Sequence, residues 1–203
     1  MIKFLASLIA FALFTHLAIA QANSSFLHSI RSSEPYLSLS ADNSKFTNRG
    51  VQFLGLGAGL QIEEKYALGF SYNWLNNRVI TSEFNTGGKL DRIQFRYAQL
   101  LGSFQYYNHL KLSSSIELAI GAGNITRWLL PQELYGPTSR VALLEPAIRA
   151  RYNILNWLSF SFMLGLRVCA VQKPFRASDI NSAKIDVGLS VSPMALVQAL
   201  KTT

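Results

Sequence analysis

The chain has 203 residues, 49% of them hydrophobic and 12% aromatic, yet only 15% are charged; an average soluble domain carries about 25% charged residues, so a surface facing water on all sides is poorly supplied. A single Cys excludes a disulfide framework and multi-thiolate metal sites, and three His leave little for a histidine metal centre, so no cofactor is expected. The net charge of +8 comes from Lys and Arg scattered singly, not from the contiguous basic stripe that nucleic acid selects, and no nucleic-acid partner is expected.

The first element is a secretory signal peptide over residues 1–20. Lys3 supplies the positive start, Phe4 to Phe14 and on through Leu17 the apolar stretch, and Ala18-Ile19-Ala20 the small-x-small cleavage signal. No Cys stands next to the cleavage site to carry a lipid anchor. Residues 21–34 are Ser-rich, show no alternation, and read as a leader segment. Beyond them no run reaches the eighteen or more apolar residues of a spanning helix.

The remainder of the chain alternates at period two, the mark of strands. Tyr36 to Ser40 is a short first strand. From Gly50 to Ile62, Leu54, Leu56, Leu60 and Ile62 oppose Gly55, Gly57, Gly59 and Gln61. From Tyr66 to Val79, Leu68, Phe70, Tyr72 and Trp74 oppose Ala67, Gly69, Ser71 and Asn73. Arg92 to Tyr106 alternates with Ile93, Phe95 and Tyr97 against Gln94 and Arg96, then blurs at Leu100-Leu101, where a bulge is expected. Runs from Leu110, from Arg140 to Tyr152, from Trp157 to Val171 and from Ala183 to Ser192 complete eight. The connections alternate long and short: 43–49, 76–91, 126–139 and 172–182 are long, whereas 63–65, 107–109 and 153–156 are short. Long and short ends therefore gather at opposite rims of an up-and-down barrel.

One face of these strands carries rows of Leu, Ile, Phe, Tyr and Trp, and the other carries glycines, serines and charges. An eight-stranded barrel has an interior just wide enough to be filled by side chains, and the bulky rows would overcrowd it. Turned outward they meet lipid, while closure satisfies every backbone donor and acceptor. Tyr66, Trp74, Tyr152 and Trp157 fall near strand ends, where aromatic girdles belong.

The signal peptide, the eight alternating runs and the short turns Glu63-Glu64-Lys65 and Asn153-Ile154-Leu155-Asn156 resemble the small outer-membrane barrels typified by the transmembrane domain of outer membrane protein A. The resemblance spans Tyr36 to Ser192 and implies an all-β, eight-stranded antiparallel up-and-down transmembrane barrel in the cell outer membrane. Its expected partners are outer-membrane lipid and the outer-membrane assembly machinery, and a monomer is expected. The chain departs from the family at its end: many such barrels finish on an aromatic residue, whereas this one ends Leu200-Lys201-Thr202-Thr203. Residues 193–203 read as a tail, either a short interfacial helix or an extension.

Phase places Glu117, Glu145, Arg149, Arg167 and Asp186 in the lumen, with Arg96 joining them in the outer half. Buried charges must be paired, so a plugging salt-bridge network is expected, with a gated conduction path as the alternative. Lipid A-modifying enzymes of similar size use a His and a Ser on the outer side; here His28 lies before the first strand, and His109 lies in a short turn without that spacing, so no enzyme is expected. Gly55-Leu56-Gly57-Ala58-Gly59 fails the phosphate-loop pattern at Leu60 and opens no helix. The loop cations either meet lipopolysaccharide phosphates or serve solubility. A soluble lipocalin-like barrel, greasy face inward, is the third reading of the same alternation.

Overall fold

Period-two alternation becomes a closed antiparallel barrel in the computed structural model, which describes residues 33–46, 49–63, 65–77, 79–81, 91–109, 111–129, 134–173 and 175–201. The expected signal peptide and residues 21–32 of the leader lie outside the described residues. The strands are β1 (Glu34–Phe46), β2 (Arg49–Ile62), β3 (Tyr66–Leu75), β4 (Val79–Thr81), β5 (Asp91–His109), β6 (Leu112–Leu129), β7 (Leu134–Leu155), β8 (Leu158–Val171) and β9 (Ser182–Val191), followed by helix α1 (Pro193–Lys201). Apart from β3 and β4, each strand pairs with its sequence neighbour; β1 also pairs with β9, and β3 with β5. The short β4 continues the line of β3 along β5, with Val79 opposite Ile93 above Trp74 opposite Arg96. β3 and β4 thus form one interrupted strand, and the barrel has eight walls.

At the interruption the Asn76 backbone N–H donates to the Gln52 carbonyl at 2.8 Å, and the Gln52 N–H donates to Asn77 Oδ1 at 2.7 Å. Short polar side chains satisfy the groups that the bend removes from the ladder. A second discontinuity lies in β7, whose pairing with β8 skips from Leu144↔Val168 to Ala147↔Gly165 across Pro146; proline has no N–H to give. The bulge expected at Leu100-Leu101 is absent, since both residues pair in regular register; β5 is instead irregular between Gln105 and Tyr107.

Several strands are longer than the alternation of bulky residues suggested. β1 runs to Phe46 and pairs there with Arg49, so residues 43–46 and 49 of the expected loop over 43–49 are strand. β6 and β7 likewise take up most of 126–139. Outward positions in these extensions, such as Asn43, Lys45, Thr126 and Thr138, are polar and therefore read as loop. They are strand because the wall continues beyond the lipid-facing belt.

The wall shows its large apolar residues to the outside. Leu39, Leu100 and Ile148 are 57%, 68% and 58% exposed, whereas Arg167 is 1% exposed, the reverse of a water-soluble barrel. On β6 the outward row from Leu112 to Ala122, and on β7 the row from Ala142 to Tyr152, each cover eleven residues. A tilted strand needs roughly 9–11 residues to cross a bilayer core.

Inside, the glycines leave room for larger neighbours. The Tyr36 ring lies across Gly59 and Gly69, and a Cβ on Gly69 would stand 2.5 Å from Tyr36 Oη. The tail is a helix: Pro193 occupies its first position, the Ala195 N–H donates to Ser192 Oγ at 3.4 Å and the Leu196 N–H to the Ser192 carbonyl at 3.0 Å, a Ser cap with proline just inside it.

Overpacking a filled lumen costs about 1–3 kcal/mol. Gly69→Val is therefore expected to lower stability by that amount in urea titrations of the vesicle-folded protein. Gly102→Ala, whose new methyl meets nothing closer than 4.0 Å, should change it by less than about 0.5 kcal/mol.

Candidate functional site

The lumen is where this fold concentrates its chemistry, and it is divided along the barrel axis. The start of β1, α1 and the short turns lie at one end; the β3–β4 bend and the β8–β9 connection lie at the other. The middle and the half nearer α1 are polar, and the loop-side half is mainly apolar, with Arg127 and Ser139 also buried there.

The middle is built around Arg167, which β8 points inward. Directly opposite it on β7 stands Glu145, and Arg167 Nε donates to Glu145 Oε1 at 2.5 Å. The pair spans the position where Pro146 breaks the β7–β8 ladder. Arg167 Nη1 donates to Ser44 Oγ at 3.0 Å; Nη2 donates to Tyr97 Oη at 2.6 Å and to Asp42 Oδ2. The guanidinium carbon also lies 4.5 Å from the centre of the Phe53 ring and 5.1 Å from that of Tyr97, within cation–π range.

Lys184 forms the second cationic centre. Its Nζ donates to Glu145 Oε2 at 2.7 Å and lies 3.7 Å from Asp42 and 3.9 Å from Asp186. Register explains why it is needed: Asp42 of β1 and Asp186 of β9 are cross-strand partners, and like charges placed opposite one another repel. Lys184 and Arg167 supply the counter-charge. Nearer α1 stands a separate ion pair, Arg149 Nε to Glu117 Oε1 at 2.7 Å, while Arg149 Nη1 donates to Ser161 Oγ at 3.2 Å and Nη2 to Met163 Sδ at 3.6 Å. Between these groups and Tyr36, Asn73 and Gln99 is a cavity of about 50 Å³.

Of the residues expected from sequence, Glu117, Glu145, Arg149, Arg167 and Asp186 face the lumen, in two clusters. Asp42, Ser44, Tyr97 and Lys184 complete the clusters and were missed. Asp42 and Ser44 lie beyond the short first strand read over 36–40. Lys184 shares its face with Asp186, and that parity was the available signal.

Arg96 is a correction. It is exposed on the outer wall, because β5 turns Ile93, Phe95 and Tyr97 inward instead. These residues join Phe46, Val51, Phe53, Ile125, Leu143, Cys169, Phe175 and Ile180 in an apolar cluster at the loop-side end. Phe53 meets Phe95 edge-on with ring centres 5.3 Å apart and Tyr97 at 5.7 Å; Phe46 meets Phe175 at 6.1 Å.

On the outer wall the register sets Trp74, Arg96, Asn124 and Arg140 side by side across β3, β5, β6 and β7. This row lies one outward position beyond the apolar belt. His109 is exposed at the opposite rim, stacked on Tyr107 with ring centres 6.4 Å apart; His28 lies outside the described residues. Gly55 and Gly57 sit in β2 opposite Ser40 and Ser38, as wall residues.

The fold is that of the small eight-stranded outer-membrane β-barrels. The chain is similar to the crystal structure of neisserial surface protein A (TM-score 0.58, 9% identity, covering 79% of this chain and 96% of that one). It is also similar to the N-terminal β-barrel domain of Pseudomonas aeruginosa OprF (0.53, 10% identity, 78% and 98%) and to Ail, the attachment invasion locus protein of Yersinia pestis (0.51, 10% identity, 78% and 96%). No protein-family model matches the chain, and neither does any curated protein.

Removing one partner of a buried ion cluster strands the others and costs about 3–5 kcal/mol. Arg167→Met, which leaves Lys184 as the one cation for Glu145, Asp42 and Asp186 in this cluster, is expected to lose that much in urea titration. It should also convert the heat-resistant gel form to the slow form at a lower temperature. Glu117→Gln, at the separate pair, should cost less than half as much.

Proposed function

We propose that this protein is a closed, non-enzymatic barrel of the bacterial outer membrane, with a structural role in the envelope and a surface presented to its surroundings, and not a pore. The observation that carries this reading is the double closure of the lumen. An ion moving along the axis meets the Arg167 cluster, whose members are buried and bonded to one another, and then the ring cluster of Phe46, Phe53, Phe95 and Phe175. The first would require separating opposite charges in a low-dielectric interior, and the second is packed chiefly with aromatic and aliphatic side chains that cannot replace water around an ion.

The lipocalin-like alternative requires an apolar cavity within the barrel. The 50 Å³ space is instead lined in part by Glu117, Arg149 and Asp186, and the apolar rows face outward. The order of apolar belt and polar extension supports an orientation with the short turns and α1 towards the periplasm and the long loops outside. Export by the signal peptide and insertion by the outer-membrane assembly machinery accompany this reading, with outer-leaflet lipid, including lipopolysaccharide, as neighbour. The salt-bridge network serves as the plug, and the barrel works as a monomer.

In planar bilayers the wild-type protein is expected to give no long-lived conducting state. The combined Phe53→Ala and Arg167→Ser variant removes both closures and is expected to show discrete steps wherever it remains heat-modifiable on gels. Stable steps from the wild type would overturn the reading in favour of the pore.

A further inference from the structure

The outer wall has a place where the lipid-facing belt ends abruptly on two cations. Below, Phe70, Leu100, Ile120, Leu144 and Val168 form one transverse row of large side chains. One outward position higher the row becomes Tyr72, Ala98, Ala122 and Ala142, and the next is Trp74, Arg96, Asn124 and Arg140. The change of side-chain size leaves a groove of about 660 Å³ on the wall, open to the outside and bounded by Tyr72, Arg96, Asn124, Thr126 and Trp128. Ala98 and Ala122 form its end nearest the belt, Arg96 and Asn124 stand above them, and Gln94, Thr126 and Trp128 line it beyond.

Both arginines are exposed, and among the described residues neither has a carboxylate partner. The outward face of β5, β6 and β7 at this level carries no Asp or Glu among the described residues. Among the described residues nothing compensates this charge. It lies where the eleven-residue belts of β6 and β7 end, at the depth of lipid headgroups.

We infer that this ledge is a binding site for a membrane lipid whose headgroup carries phosphate, with the phosphate held by Arg96 and Arg140, Asn124 between them, and an acyl chain laid in the groove over Ala98 and Ala122. Arginine suits this task because its planar fork gives paired hydrogen bonds to phosphate oxygens. The groove continues the apolar belt, so the occupant enters from the bilayer without leaving it. The assignment rests on the orientation proposed above, which puts the ledge in the outer leaflet, where phosphorylated glycolipid is the anionic lipid at hand.

The test uses the full chain folded into phosphatidylcholine vesicles containing lipid A, then released in mild detergent, with the retained lipid counted by native mass spectrometry. The wild type is expected to retain lipid A and to hold dephosphorylated lipid A at least about tenfold less well. Arg96→Gln with Arg140→Gln should lower lipid A retention by a similar factor. Ala122→Leu, which fills the groove and leaves the charges, should lower it too. Arg176→Gln, an exposed arginine away from the ledge, should leave it unchanged.

Equal retention of the two lipids by the wild type overturns the site without recourse to any variant. So does a loss with Arg176→Gln as large as that of the double variant, since the effect would then be general charge. Conductance separates this inference from the closed-barrel reading: a wild type that conducts fails that reading while the lipid counts still decide the ledge, and equal lipid counts fail the ledge in a barrel that stays shut.

Discussion

A guanidinium that is 1% exposed inside a membrane barrel has no water to fall back on, and the interior is arranged around that condition at Arg167. Two carboxylates, two hydroxyls and two aromatic faces approach it from β1, β2, β5 and β7. Each of these strands must hold its register for the set to close, because a one-residue slip would turn the contributing side chain to the lipid. The ion cluster therefore fixes the alignment of half the wall. It is also the boundary between the two fillings of the lumen, since Tyr97 and Phe53 belong at once to the arginine's shell and to the ring cluster beyond it.

The wall adapts to its surroundings along the axis. Where lipid lies outside, the outer face is greasy and the inside takes the polar groups. Beyond the belt, where the outer face meets headgroups and water, the inside becomes mainly apolar and Gln94, Thr126, Thr138 and the arginine row come to the surface. The hydrophobic effect acts in both zones; only the location of the apolar phase changes. A small membrane barrel with long strands is in this sense two barrels of opposite polarity, continuous through the same backbone.

That inversion also marks the limit of what the sequence revealed. Inside the belt, alternation and the size of the lumen were enough: Glu117, Glu145, Arg149, Arg167 and Asp186 could be assigned to the interior by parity from their bulky neighbours. On β5 the same rule, bulky outward, placed Arg96 inside and Phe95 outside, because it assumed lipid along the whole strand. Asp42 and Ser44 were lost for a related reason, since the outward Asn43 and Lys45 made the end of β1 look like a loop. Parity carries the face of a residue; the depth at which lipid stops is a three-dimensional property, set by tilt and by neighbouring strands. The row of Trp74, Arg96, Asn124 and Arg140 comes from four separate segments and exists only once the register is known.

The contact between Asp42 and Arg167 joins residues 125 positions apart, across a barrel whose first strand finds its second partner only in the last. Until β9 is made and reaches β1, the growing sheet has two open edges and half a charge cluster, both costly in lipid and both prone to mispairing in water. Closure is thus a single late event that mates the edges and neutralises the interior together. Such long-range pairing is intrinsically slow to form, and a chain built this way has to be kept from premature association during its passage to the membrane. The same coupling gives the finished barrel its resistance to opening: no seam can part at β1 and β9 without exposing Asp42 and Asp186 and unseating the cation that serves them both.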